Sequence, residues 1–195
     1  MNLRKYGWLF TTTLAVGGVG GMLAGFIVAK GELFSGSFGN LLMGILMNIL
    51  IGLTISVLAQ MGFFAYMTLN YFGLSFFSKS PRLWKNIQVF LVLFAFFDMV
   101  YLRYSGGMRG DTIWPYMIEP VALLFVSFVV AYAKVKQTNS NALVPTLFFM
   151  FSVTAVEWIP GLKQDNANSI LFMAVPLVFC NVWQVMQLHR LTRKA

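Results

Sequence analysis

Three carboxylates stand inside long apolar stretches of this chain: Asp98 within residues 86–102, Glu119 within 115–133 and Glu157 within 142–159. A carboxylate at the centre of a bilayer costs about 2.5–3.5 kcal/mol, so such groups normally turn to the interior of a helix bundle and find a partner. Arg103 and Arg109 are candidate cations, and Tyr101, Tyr104 and Tyr116 candidate hydroxyls, for a polar network with these acids. Asp98 and Arg103 lie five residues apart, about 140° around a helix, so they cannot pair within their own helix and partners must come from others. Asp98 precedes Arg103, Glu119 follows Trp114 and Glu157 precedes Pro160 by comparable intervals, which puts all three acids at similar depth and predicts that they converge. Two chemistries fit: a structural network of acids, arginines and tyrosines, or a site for a ligand, ion or partner protein.

Catalytic templates do not fit. There is no HExxH, no GxSxG and no phosphate loop, and the single His189 closes the last apolar run beside Arg190. One cysteine, Cys180, allows neither an internal disulfide nor a cysteine metal cluster. A single apolar-embedded aspartate does not make the pair that an aspartyl protease needs. We expect no enzyme, no metal site and no cofactor.

The elements that carry the acids are six hydrophobic runs at 7–29, 41–69, 86–102, 115–133, 142–159 and 168–188. At about 1.5 Å per residue each can cross a hydrocarbon core of about 30 Å, some with the help of a flanking turn. With 58% hydrophobic and 10% charged residues the chain is too apolar for a soluble domain, where about a quarter of residues are charged. The expected fold class is all-α, a polytopic integral membrane protein with six transmembrane helices in a single domain over 1–195.

The charges orient those helices. Arg4, Lys5, Lys79, Arg82, Lys85, Lys134, Lys136, Arg190, Arg193 and Lys194 fall on one side, with no carboxylate among their loops. Lys30, Arg103, Arg109 and Lys163 fall on the other, together with Glu32, Asp111 and Asp165. By the positive-inside rule both termini are cytoplasmic, and the protein is expected in the cell membrane as a multi-pass chain. The net charge of +8 is therefore read as a match for anionic headgroups at the ends of spans, with no nucleic acid partner. The first run, about 23 residues, exceeds the 7–15 of a signal-peptide core and is read as a span.

The second run is the longest, with no charge from Leu41 to Phe77. Splitting it into two spans would place Lys79, Arg82 and Lys85 outside, so it is read as one long tilted helix whose end, with Tyr71 and Trp84, lies at the interface. Small or polar residues recur every four positions: Thr13, Gly17, Gly21, Gly25 and Ala29 in the first run, Gly44, Asn48, Gly52, Ser56 and Gln60 in the second. That spacing predicts close packing of the two helices, or else a dimer through the first. Pro176 interrupts the sixth run and should kink it. The loops are short, so whatever the protein does it does with its spans and short connections.

Several stretches carry a family resemblance. Gln60-Met61-Gly62-Phe63-Phe64-Ala65-Tyr66, Phe97-Asp98 with Tyr101 and Arg103, the Lys134–Asn139 turn leading to Pro145-Thr146-Leu147-Phe148-Phe149-Met150, Glu157-Trp158 with Pro160, and Pro176-Leu177 with Cys180-Asn181 and Leu188-His189 resemble the KinB-signalling pathway activation protein (KbaA) family of spore-forming Firmicutes. The resemblance implies a membrane-embedded accessory protein that promotes signalling by a multi-span sensor histidine kinase in the sporulation phosphorelay, with that kinase as partner. It brings no catalytic residues and leaves the oligomeric state open. The competing reading is a small-solute transporter or channel component with Asp98, Glu119 and Glu157 lining a cavity.

Overall fold

The computed structural model describes residues 3–28, 38–106, 112–164 and 166–192. Their regular structure is helical throughout: α1 (Leu3–Val28), α2 (Phe38–Phe76), α3 (Pro81–Ser105), α4 (Ile118–Gln137), α5 (Leu143–Phe148), α6 (Thr154–Leu162) and α7 (Ala167–Thr192). A 3₁₀ turn at Trp114–Tyr116 leads into α4, and a π-helical turn at Phe149–Val153 joins α5 to α6. With α5, the π turn and α6 taken as one rod, six stretches of the described residues are long and apolar enough to cross a membrane by length and composition. They are Arg4–Val28, Phe38–Phe76, Pro81–Ser105, Trp114–Gln137, Ser140–Leu162 and Ala167–Arg190. The all-α expectation and the six runs are met.

The uncharged second run is a single helix. α2 runs unbroken for 39 residues, about 58 Å, with Gln60-Met61-Gly62 in its middle. It contains no proline, and it ends where Ser80 donates its amide to the Phe77 carbonyl at 2.9 Å and Pro81 opens α3. Proline suits the first helical turn because its missing N–H would have no partner there anyway. Pro160 falls in the last turn of α6 instead of after it, and α7 continues through Pro176.

The chain divides into two compact units, Met1–Met61 with Asn166–Ala195, and Gly62–Asp165. In the first, the small-residue stripes are the packing surface. A Cβ added at Gly21 would meet the Asn48 carbonyl and Gly52 backbone; one at Gly17 would meet Ser56 and the Gly52 carbonyl. With no side chain between them, the backbones approach closely enough for the Ser56 hydroxyl to donate to the Thr13 carbonyl at 2.9 Å. Gln60 adds bonds to Ser56 Oγ at 3.3 Å and to the Phe10 carbonyl at 3.5 Å. On another side of α1, Gly20 lies against Pro176, and Trp183 donates its indole N–H to Thr12 Oγ1 at 3.1 Å.

In the second unit Phe148, Phe149 and Phe151 of the fifth rod, the most enclosed of the six, form an aromatic core with Phe63 and Tyr66 of α2. Tyr66 and Phe149 have ring centroids 4.9 Å apart, and Phe63 meets Phe149 edge-on at 5.6 Å. Residues 146–152 make about two helical turns and point to every side, so their complete burial means that the rod is enclosed all round at this level, where the π turn over Phe149–Val153 widens the helix. Trp84 departs from its expected place at the interface: it is buried, packs on Gly73, and gives its indole N–H to Asn70 Oδ1 at 3.0 Å. Tyr71 does remain exposed.

Gly21→Leu should destabilise the protein in detergent by about 1–3 kcal/mol, because the added side chain meets backbone that cannot move aside. Leu23→Ile, on an exposed face of the same helix, should change stability by less than about 0.5 kcal/mol. Equal thermal unfolding of the two variants would count against the packing surface.

Candidate functional site

Arg103 sits in the last turn of α3 and is 2% exposed. Its guanidinium donates through Nη1 to the Leu162 carbonyl at 2.8 Å and to the Gln164 carbonyl at 3.4 Å, and through Nη2 to Glu119 Oε1 at 3.5 Å. Leu162 is the last residue of α6, so the arginine satisfies a carbonyl that a helix end leaves unbonded and brings positive charge to the negative end of the dipole. Glu119, 8% exposed, lies in the first turn of α4, where a carboxylate is favoured by the opposite dipole end. One fork thus ties together three helices. The shorter bond is to Leu162; 3.5 Å is long for a charge-assisted pair, so the helix cap is the stronger attachment and the carboxylate the weaker. The fully buried Tyr116 stands edge-on to Tyr104 with centroids 5.7 Å apart.

Glu157 occupies a different place. It is 6% exposed on α6, and a Cβ added at Gly62 of α2 would overlap its carboxyl. The absence of a side chain at Gly62 is what lets that carboxyl lie against α2. Both residues wall an open groove of about 560 Å³ whose other sides are largely apolar, among them Leu69, Leu91, Phe94, Phe148 and Val156. Tyr66, also on that wall, donates its hydroxyl to the Pro145 carbonyl at 3.2 Å, and Ser152 donates to the Leu91 carbonyl at 3.3 Å.

Asp98 stands between the two centres. It shares the groove with Glu157, and it shares a second cavity of about 360 Å³ with Tyr101, Arg103, Ser105 and Lys163. Its side chain is exposed, unlike those of Glu119 and Glu157. The expected single cluster of three inward-facing acids is therefore distributed: Glu119 is engaged by Arg103, Glu157 is packed against Gly62, and Asp98 opens into the cavities. The reason is angular: Met99 and Arg103, four apart on one helix face, take the buried side of α3 and turn Asp98 away from it. Arg109 lies outside the described residues. Among the described residues no group of three His, Cys, Asp or Glu side chains could hold a metal ion.

Gly62, Tyr66 and the π turn have no signal in charge or periodicity, although Gly62, Ala65, Tyr66, Asp98, Phe148 and Glu157 all stand in stretches that carry the family resemblance.

A family profile described as KbaA, KinB-signalling pathway activation in sporulation, matches residues 17–191. The chain belongs to that family. A KinB-signaling pathway activation protein of Bacillus subtilis (strain 168) is 34% identical to it over 200 residues, covering 100% of both chains. No solved structure matches.

Replacing Arg103 by Met should cost about 3–5 kcal/mol of stability in detergent, the range for breaking a buried ion pair. Arg103→Lys should recover only part of it, because an ammonium cannot span the carbonyls and the carboxylate as a planar fork does. Wild-type stability in Arg103→Met would show that the fork does not hold the three helices together. Gly62→Ala should cost about 1–3 kcal/mol by pushing the Glu157 carboxyl aside, and in a Glu157→Ala background that penalty should largely vanish. Additive effects in the double variant would show that the two do not touch.

Proposed function

We propose that this chain is a membrane-embedded accessory protein that promotes signalling by a sensor histidine kinase of the KinB pathway in sporulation. The observation that carries the reading is the match to the KinB-signalling activation family along nearly the whole chain, together with the full-length relative of that name. On this reading the six apolar stretches are transmembrane helices of one domain in the bacterial cell membrane, with both termini cytoplasmic. Support for that orientation comes from the ten basic residues that fall on the side of the termini against four on the other.

The absence of any long connecting segment among the described residues favours action through the helices themselves, by contact with the kinase spans, and not through enzymatic turnover. Helix contacts in lipid depend on shape and on buried polar groups, and the exposed apolar faces of α2 and α3 are available for them. A second reading, solute transport, rests on the groove walled by Asp98 and Glu157; uptake by the purified protein in liposomes would favour it.

Two measurements test the proposal. A cysteine at Gln164 should react with an impermeant thiol reagent in intact cells, and one at Gln137 should not; both positions are exposed, and native Cys180 is buried. Labelling at Gln137 would reverse the orientation. The protein and the kinase should co-purify in mild detergent, and a kinase that elutes alone while its signalling still depends on this protein would sink the contact mechanism.

A further inference from the structure

The open groove and the charged cavity are parts of one seam. A small third cavity lies between them, sharing Ala95, Asp98 and Val156 with the groove and Asp98, Leu102 and Leu162 with the cavity. On α3 the wall is a single helical stripe, Leu91, Phe94, Ala95, Asp98, Leu102 and Ser105. From Leu91 to Ser105 it measures about 21 Å, which is half of the roughly 40–45 Å that a bilayer occupies with its headgroups.

The chemistry changes along that length. The Leu91 end is mostly apolar, with Leu69, Phe94, Phe148 and Val156 and, against Gly62, the buried Glu157 carboxyl; the Ser105 end is lined by Asp98, Tyr101, Arg103 and Lys163. Asp98 comes from the α3 side and Lys163 from just beyond the end of α6, so one charge of each sign flanks the mouth. Neither side chain, nor the Tyr101 hydroxyl, makes a hydrogen bond or ion pair among the described residues. Nearby, Pro160 has no N–H to give the carbonyl of Val156, another residue of the wall. A carboxylate at this depth is costly unless a cation meets it.

We propose that this seam binds one phospholipid of the leaflet at its polar end, with an acyl chain in the groove and a zwitterionic, primary-amine headgroup across the mouth. The ammonium meets Asp98 and the phosphate meets Lys163, the short ethanolamine arm lying from the α6 side to the α3 side. A leaflet-long seam, with a largely apolar groove at one end and one carboxylate and one ammonium at the other, matches the length and both charges of such a lipid. An anionic headgroup leaves Asp98 without a cation, and a choline headgroup brings a cation that has no N–H to donate. Arg103, engaged with Leu162 and Glu119, forms the floor of the mouth.

The inference rests on the membrane reading of the preceding subsection and is tested apart from it. The purified protein is equilibrated with equal amounts of phosphatidylethanolamine, phosphatidylcholine and phosphatidylglycerol, and the lipid that stays bound is counted by native mass spectrometry. The expected result is one retained lipid per chain, with phosphatidylethanolamine preferred. Asp98→Asn should cut that preference about tenfold, the loss of one charge-assisted hydrogen bond. Val156→Trp, which fills the groove, should abolish retention, whereas Phe125→Trp on an exposed face of α4 should leave it unchanged. No stoichiometric lipid on a folded wild-type chain, an unchanged preference in Asp98→Asn, or a protein helix occupying the groove would each overturn the proposal. Failure of the chain to sediment with membranes, resistant to alkaline carbonate, would instead overturn the membrane reading on which it rests.

Discussion

A guanidinium removed from water needs protein acceptors for its donors, and both Nη groups of Arg103 find them on helix ends that are far apart in sequence, while Nε has none among the described residues. The carbonyl of Leu162 closes α6 and the carboxylate of Glu119 opens α4, so the arginine on α3 defines where two other helices terminate relative to it. The rest of the second unit follows. With the ends of α3 and α6 held side by side at Arg103, their facing stripes form the seam that carries Asp98 at its polar end and Glu157 and Gly62 at its apolar one. The π turn belongs to the same arrangement: it changes the register of the fifth rod between the aromatic core and α6, and Glu157 lies on the first turn after it.

The first unit is held by the opposite means. Where the second unit satisfies a buried charge, the first brings backbones together over glycines and uses the exposed carbonyls that result. Thr13 illustrates this: its carbonyl receives the Ser56 hydroxyl at 2.9 Å and the Cys180 thiol at 3.7 Å, from two different helices. Apolar area contributes little to association between helices in lipid, so close contact and buried hydrogen bonds have to supply the specificity. The lone cysteine fits this role as a small, weak donor and needs no redox chemistry to account for it.

For function, the two arrangements differ in what they leave open. The helix contacts over Gly17, Gly21 and Gly52 are closed to any ligand, since even a methyl group would not fit. The seam of α3 and α6 is open along its length and combines an apolar trough with charges of both signs. On the proposed reading, in which the helices act on a kinase by contact, a lipid-filled seam would present a different face to a neighbouring span from an empty one.

Local features of the sequence determined the helices: apolar runs uninterrupted by charge, the Ser80-Pro81 break, and the four-residue spacing of small or polar residues that places them on one face of α1 and one face of α2. These are legible because helical hydrogen bonds and the side-chain period of 3.6 act between near neighbours. The family, too, could be read from short polar landmarks. Tertiary structure alone decided which of three similar acids would be paired with Arg103, which would be packed on Gly62 and which would remain exposed. It also decided that Trp84 would be buried on Gly73, and that the fifth rod would widen into a π turn. Each of those outcomes depends on a group from another helix, a carbonyl, a glycine or an aromatic ring, whose position no spacing along a single chain segment can specify.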